Sequence, residues 1–407
     1  MRKLLRASAL LAALLVIGGM LAMPYVDALA FIARAAAMEG YAGQIADWRA
    51  QAFLAEPVRQ IPTRHGVVDV RMYRPAEVAS RRTVTLVPGV HMDGIREARL
   101  VGMAEDLAAS GFTVLTVAPP DLQRFQITSR STDIIEDAAK WLASGEGGAV
   151  TPPAPDGKIG MLGISFSGGL SLVAAGRPEL RDKVSFVMSF GGHGDLPRVM
   201  RYLCSGNAPA MPQLGEGTRD VAGAEHIAIK PPHDYGVAVV LLSVADRAIP
   251  SAQVEPLRRG IMTFLTASSL DMVDKERATV EFQRAREYAE TLPEPARTLM
   301  RHVNDRAVDR LSPVLLPIIE DIDEPAALAA LSPESAPPPA APVFLLHGAD
   351  DNVIPSVETV LLANHYRSKT EVHAVLSGLI THAEVDRSAA AAEVWRLVGF
   401  WKDLMAQ

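Results

Sequence analysis

Residues 163–169 read Gly-Ile-Ser-Phe-Ser-Gly-Gly and close an apolar run, KIGMLGI at 158–164. A serine becomes useful as a nucleophile when a sharp strand-to-helix turn holds its hydroxyl proud of a sheet. Such a turn needs small residues two before and two or three after the serine, because larger side chains would strike neighbouring backbone. With Ser165 at the apex those positions are Gly163, Ser167 and Gly168, and all three fit. With Ser167 at the apex they are Ser165, Gly169 and Leu170, and the leucine fails. The spacing favours Ser165, although Ser167 stands where a strict G-x-S-x-G has its second glycine. A serine hydroxyl is a weak nucleophile at neutral pH, so it needs a base within hydrogen-bond reach and donors aimed at the oxyanion. The chemistry on offer is acyl transfer. The sequence holds no G-x-G-x-x-G after a first strand, no P-loop and no H-E-x-x-H, so nucleotide and metal chemistry have no foothold. No Cys/His cluster has zinc spacing, and the single cysteine, Cys204, reads as a small buried apolar residue. Neither metal nor cofactor is expected.

The elements that must position this serine alternate. TVTLVPG (83–89), FTVLTVAPP (112–120), KIGMLGI and VSFVMSF (184–190) are short and rich in Val, as in strands buried on both faces. Helical spacing runs through Leu100, Met103, Ala104 and Leu107, and again through Ile134, Ile135, Ala138 and Leu142. Strand, helix, strand in this order implies a parallel sheet covered on both faces. VVDVRMYRP (67–75) alternates like a half-buried strand. The rhythm stops at residue 196. From there to about residue 330 the chain reads as mostly helical, with VAVVLL (237–242) reading equally as strand or helix. A proline-rich connector, LSPESAPPPAAP (331–342), closes this stretch. The rhythm resumes with PVFLLHG, a helix around VETVLLANHY, the strand EVHAVL and a last helix from about residue 389 to 405. The expected fold class is α/β, a doubly wound, mostly parallel sheet with a helical cap insertion.

Elbow, strand order and insertion together resemble the α/β-hydrolase superfamily, in style its dienelactone-hydrolase and prolyl-oligopeptidase-like branches, from about Val58 to the C-terminus. That family runs nucleophile, acid, histidine in chain order. The resemblance implies the acid at Asp351, in the pattern H-G-x-x-D-x-x-[VI]-P of HGADDNVIP (347–355), with Asp350 as a solvated turn carboxylate. It implies the base at His382, in the loop SGLITHAEVD between the last strand and the last helix. His382 would take the Ser165 proton while Asp351 fixes the imidazole. The oxyanion would be met by the backbone N–H of Phe166 and by one from the loop Pro88-Gly89-Val90-His91. Proline replaces the usual histidine there. Val90 is assigned, with His91 the alternative donor or a substrate-facing side chain.

His193, in SFGGHGDL, is a candidate pocket-lining residue, and Asp195 an alternative acid. His233 and Tyr235 in PPHDYG either contact substrate or only form a helix-entry turn, and His347 reads as a support for the strand end.

The chain opens with Arg2, Lys3 and Arg6, and carries no charge from Ala7 to Val26. About 20 uncharged residues suffice to cross a hydrocarbon core as a helix, with the basic head on the cytoplasmic side. A buried N-terminal helix would need a large partner surface to cover an all-round apolar helix, and a cleaved signal peptide with Ala28-Leu29-Ala30 as its processing site is the rival reading. Either way the body is exported: outside a bacterial-type inner membrane, or periplasmic or secreted. The resulting organisation is anchor or signal at 1–30, helical linker at 31–57, core at 58–195, cap and connector at 196–340, and core again at 341–407.

The balance of 40 Lys+Arg against 47 Asp+Glu gives a net charge of −7, which argues against a nucleic-acid partner. With 49% hydrophobic and 21% charged residues, wholesale disorder is excluded. The leading expectation is a serine hydrolase acting on a small-molecule acyl substrate and attached to the membrane by its N-terminal helix. The alternatives are a peptidase of prolyl-oligopeptidase type and an inactive membrane-anchored scaffold. Nothing in the sequence reads out the oligomeric state.

Overall fold

The computed structural model describes residues 2–77, 80–145, 156–211, 221–271, 274–322, 325–380 and 387–407. Among these residues, ten strands form one sheet: β1 (Phe53–Ala55), β2 (Arg59–Thr63), β3 (Gly66–Pro75), β4 (Thr83–Val87), β5 (Thr113–Val117), β6 (Ile159–Ile164), β7 (Val184–Phe190), β8 (Val221–Ala222), β9 (Val343–Gly348) and β10 (Val372–Ser377). Their spatial order is β1-β3-β5-β4-β6-β7-β9-β10-β8, with β2 paired to β3. From β5 to β8 every pairing is parallel, and β1, β2 and β3 add an antiparallel edge. The chain is a mostly parallel sheet flanked by helices, with a helical insertion between β7 and β9, an α/β-hydrolase-like fold with a cap.

The central strands are buried because helices cover both faces. Every residue of β4, β5 and β9 is buried. On one face the helices Ala98–Ala109 and Arg387–Met405 pack over Leu86, Val114, Leu162, Met188 and Phe344. On the other, Ser129–Ser144 and Phe166–Ala175 join a core that continues into the insertion through Tyr202, Leu241, Leu257 and Phe264. The segment 237–242, ambiguous in sequence, lies in the helix Gly236–Ala248 with all six side chains buried. The insertion also returns β8 to the sheet edge beside β10. The proline-rich connector is packed: Ser332 is fully buried, and a side chain at Gly176 would run into the Pro337 carbonyl.

A buried ion cluster holds both ends of the insertion. Glu358, 0% exposed on the helix Val357–Tyr366, accepts from the Gly194 and Asp195 N–H groups (2.9 and 3.2 Å) and from Arg198 Nε and Nη2 (2.6 and 2.8 Å). Arg198 lies in the helix Leu196–Ser205, where the insertion leaves the core, and also grips Glu334 (2.6 and 3.0 Å), where it returns.

The helix Arg2–Ala35 belongs partly to the body. Residues 18–24 are exposed, whereas Ala28, Ala30, Phe31 and Ala33 are buried. Phe31 packs on Trp401 of the last helix with ring centroids 4.2 Å apart. Asp27 pairs with Arg49 and Arg81 (2.6 and 2.5 Å). The Ala28-Leu29-Ala30 stretch is therefore docked helix. Among the described residues no single helix is long and apolar enough to cross a membrane. The bent pair Gly18–Ala35 and Gly40–Arg49, at 112°, qualifies by combined length and composition.

Arg198→Met removes the cation from a fully buried carboxylate and is expected to cost about 3 kcal/mol. Glu334→Gln, at a partly exposed pair, should cost roughly 1 kcal/mol or less. Denaturant midpoints of the two variants test this ordering.

Candidate active site

The site lies at the C-terminal ends of β6, β7 and β9. Ser165 follows β6 directly and caps the helix Phe166–Ala175 with φ 57° and ψ −134°, a conformation that costs a non-glycine residue of order 1–3 kcal/mol. Close packing over-determines it. A Cβ on Gly163 would collide with the Ser167 carbonyl and come within 2.6 Å of Ser171 Oγ. The Ser165 N–H donates to Phe190 O at the end of β7 (2.7 Å). Ser167, 0% exposed, uses its hydroxyl as a tie, donating toward Val87 O (2.9 Å) and Ile164 O (2.8 Å) and accepting from Ile164 N–H (2.9 Å). Ser165 keeps partial exposure.

The loop after β4 passes close to this serine. A Cβ on Gly89 would sit 3.2 Å from Ser165 Cβ and 3.8 Å from Oγ, a tight contact, so the backbone of this loop passes close to the serine. Val90, next along, is partly buried against the core. His91 turns toward its own loop, its Nδ1 accepting from Asp93 N–H at 3.2 Å. Phe166 opens the elbow helix, so its N–H is among the first-turn donors without an in-helix acceptor. The helix dipole adds positive potential at the same point.

Asp351 sits in the loop after β9. Its Oδ1 accepts from the N–H groups of Val353 (2.8 Å) and Ile354 (3.1 Å), while Oδ2 lies 3.5 Å from His347 Nε2 and faces the Gly191 backbone. Burial pushes this carboxyl up, but His347 and the two backbone donors outweigh it and hold the pKa below the usual carboxylate range. His347 is buried and fixed by Thr359 Oγ1 (2.7 Å) and Ile354 O (3.0 Å). Asp350 pairs instead with Lys230 of the insertion. Ser165 and Asp351 are thus on opposite sides of Phe190–Gly191. β6, which ends just before Ser165, and β9, which ends before Asp351, are two strands apart in the sheet with β7 between them.

His382 lies outside the described residues. The chain that leads to it leaves β10 at Ser377, whose carbonyl accepts from Ala349 N–H (3.0 Å) beside the acid loop. His193 is fully buried, bonded through Nε2 to Leu331 O (2.8 Å) and packed on Phe166 and Gly169, and burial lowers its pKa. Asp195 caps the helix Leu196–Ser205 by accepting from Arg198 N–H.

The insertion contributes Tyr235, whose phenol is pushed up to about 12 by burial and then by the nearby Asp351 charge. Tyr202 is also raised to about 12, by burial first and then by the same carboxylate, and its hydroxyl donates to Lys230 O (2.8 Å). His233 N–H donates to Asn352 O (2.8 Å), so the 228–235 segment runs along the acid loop. Tyr202 falls in no motif, whereas Gly89 and Tyr235 lie in segments the sequence had singled out. Among the described residues no three His, Cys, Asp or Glu side chains converge to hold a metal ion.

No protein-family model matches the chain, and no curated protein matches it. Solved structures do. The acylaminoacyl peptidase of Pyrococcus horikoshii is 13% identical, with a TM-score of 0.44 over 90% of this chain and 43% of that one. An esterase from Pyrobaculum calidifontis is 16% identical, with a TM-score of 0.39 over 86% of this chain and 85% of that one. Carboxyl esterase 2 of Tuber melanosporum is 12% identical, with a TM-score of 0.42 over 86% of each chain. The chain therefore spans less than half the length of the peptidase.

The elbow makes opposite predictions for its two serines. Ser165→Gly relieves strain and is expected to stabilise by about 1 kcal/mol, whereas Ser167→Ala strands buried partners and should cost about 1–3 kcal/mol. Thermal unfolding of both variants reads the signs. Asp351 has a depressed folded-state pKa, so its stabilisation is present at neutral pH and lost as pH falls through that value. Asp351→Asn should therefore be less stable than wild type at pH 7, and the gap should close below about pH 4.

Proposed function

We propose that the protein is a serine hydrolase that cleaves carboxylic esters or related acyl bonds of a small-molecule substrate through Ser165, His382 and Asp351. Ser165 Oγ attacks the acyl carbon and forms the Ser165–acyl bond. Its proton passes to His382, which hands it to the departing alkoxide. Water then attacks the acyl-enzyme, gives a proton to His382, and releases the acid as the proton returns to Ser165. Asp351 orients the imidazole and stabilises its charged form. The N–H groups of Phe166 and Val90 receive the oxyanion.

The observation that carries this reading is the strained Ser165 at the end of β6 and the start of a helix, with a half-buried carboxylate two strands away. That carboxylate has one oxygen tied to backbone and the other turned toward Gly191. A fixed, acceptor-only Oδ2 suits the Nδ1–H of an imidazole. The end of β10 at Ser377, five residues before His382 and bonded to Ala349 N–H, supports His382 as that imidazole.

We further read residues 7–26 as a retained anchor in a bacterial-type inner membrane, with the body outside the cytoplasm. The burial of Ala28, Ala30, Phe31 and Ala33 supports retention, since cleavage after Ala30 would remove part of a packed helix.

A fluorophosphonate probe is expected to label the full-length chain, and Ser165→Ala to abolish labelling while Ser167→Ala retains it. Labelling of Ser165→Ala together with its loss in Ser167→Ala would overturn the register. His382→Ala should lower kcat for a p-nitrophenyl ester roughly ten-thousand-fold, and an unchanged rate would put the base elsewhere.

A further inference from the structure

The N-terminal helix docks at the end of the molecule opposite Ser165. Asp27 pairs with Arg81, which lies just before β4 and whose N–H donates to Gly111 O in the turn before β5. Arg34 Nη2 donates to Ser110 Oγ (2.5 Å), just past the helix that leads into that turn. Tyr25 lies under Lys402, 5.0 Å from the ring centroid, in the last turn of the final helix. The next residue, Asp403, is 3.8 Å from His373 at the start of β10. All these partners mark the ends where parallel strands begin. Ser165 and Asp351 stand where strands finish. The six residues of β6 span about 20 Å at 3.3 Å each. Residues 18–24 are exposed, so the helix departs from the strand-start end without lying along the body. Pro24 gives that helix a point at which to bend, but a bend there tilts the span and leaves its exit point unchanged.

We infer that the protein takes water-soluble acyl substrates from the aqueous phase and does not act on lipids of the membrane that anchors it. This rests on the hydrolase and anchor readings above. With residues 7–26 in the bilayer, the strand-start end faces the headgroups. The elbow and insertion then face away, at least the length of a strand above them. A phospholipid would have to leave the bilayer completely, chains included, to bring an ester carbonyl to Ser165. A soluble ester reaches it by diffusion.

The test uses the full-length chain in phosphatidylethanolamine/phosphatidylglycerol vesicles. One sample carries a fluorescent fluorophosphonate at Ser165. A second carries a maleimide dye on the Trp48→Cys variant, whose position adjoins Arg49 and its partner Asp27. Cys204 stays unlabelled because it is buried and burial pushes its thiol up to about 12. Lipid-borne nitroxide is expected to quench the dye at position 48 and leave the Ser165 dye unaffected. A short-chain soluble ester should turn over equally in detergent and in vesicles, with no fatty acid released from the vesicle lipid. Quenching at Ser165, absence of quenching at position 48, or release of fatty acid would each overturn the inference. Failure of its foundations shows separately: no probe labelling removes the hydrolase reading, and release of the chain by alkaline carbonate removes the anchor.

Discussion

Everything at the candidate site depends on how closely four backbone segments approach one another at the end of β6. Gly163 must be bare because the Ser167 carbonyl occupies the space of its Cβ, and a Cβ on Gly89 would press on Ser165 at 3.2 Å. These contacts are what keep Ser165 at φ 57°. A serine free of them would relax into an ordinary helical or extended conformation and lower its hydroxyl toward the sheet. The sheet order obeys the same requirement. β4 must neighbour β6 to bring Gly89 over Ser165, and β7 must neighbour β6 so that Phe190 O receives the Ser165 N–H. The burial that drives the central strands together supplies the stabilisation against which this local strain is held.

Two carboxylates near one another illustrate how environment separates roles. Glu358 is fully buried and saturated by Arg198 and two backbone N–H groups, so it has no capacity left for chemistry and acts as the joint of the insertion. Asp351 has one oxygen committed to backbone, and among the described residues its other oxygen lies 3.5 Å from His347 and faces Gly191. His347 and the backbone donors hold its pKa down. Because Arg198 bridges Glu358 and Glu334, the roof carrying Tyr202 and Tyr235 is held in register with the acid loop.

Much of this was legible in the sequence, for identifiable reasons. Val-rich strands and amphipathic helices announce themselves because burial on two faces or one imposes its own spacing, and the elbow announces itself through small residues at fixed offsets. The segment 237–242 was ambiguous because a helix buried on every side has no polar face to set a period. The strand Phe53–Ala55 falls in a segment read as helical. It is three residues long, partly exposed and held by pairing with β3, with no hydrophobic alternation of its own. The Arg198–Glu358 pair joins residues 160 apart, and no local pattern encodes such a contact. Tyr202 is invisible for the same reason. The proline-rich connector packs on the body where Gly176 leaves room for the Pro337 carbonyl, a contact that its composition does not encode.

The N-terminal helix shows the same conflict between local composition and tertiary context at larger scale. Its composition divides near Asp27, the first charge after a long uncharged run, and that division suggests an anchor, or its rival a removable leader, followed by the body. The packing divides it elsewhere. Exposure ends around Val26, and Asp27 already belongs to the body through Arg49 and Arg81. Removal of the segment up to Ala30 would leave those two arginines without their shared carboxylate and uncover the surface beneath Ala28 and Ala30. Asp27 is at once the first charge after the uncharged run and a shared partner of two arginines of the body, which ties the start of the packed helix to the end of the sheet where β4 begins.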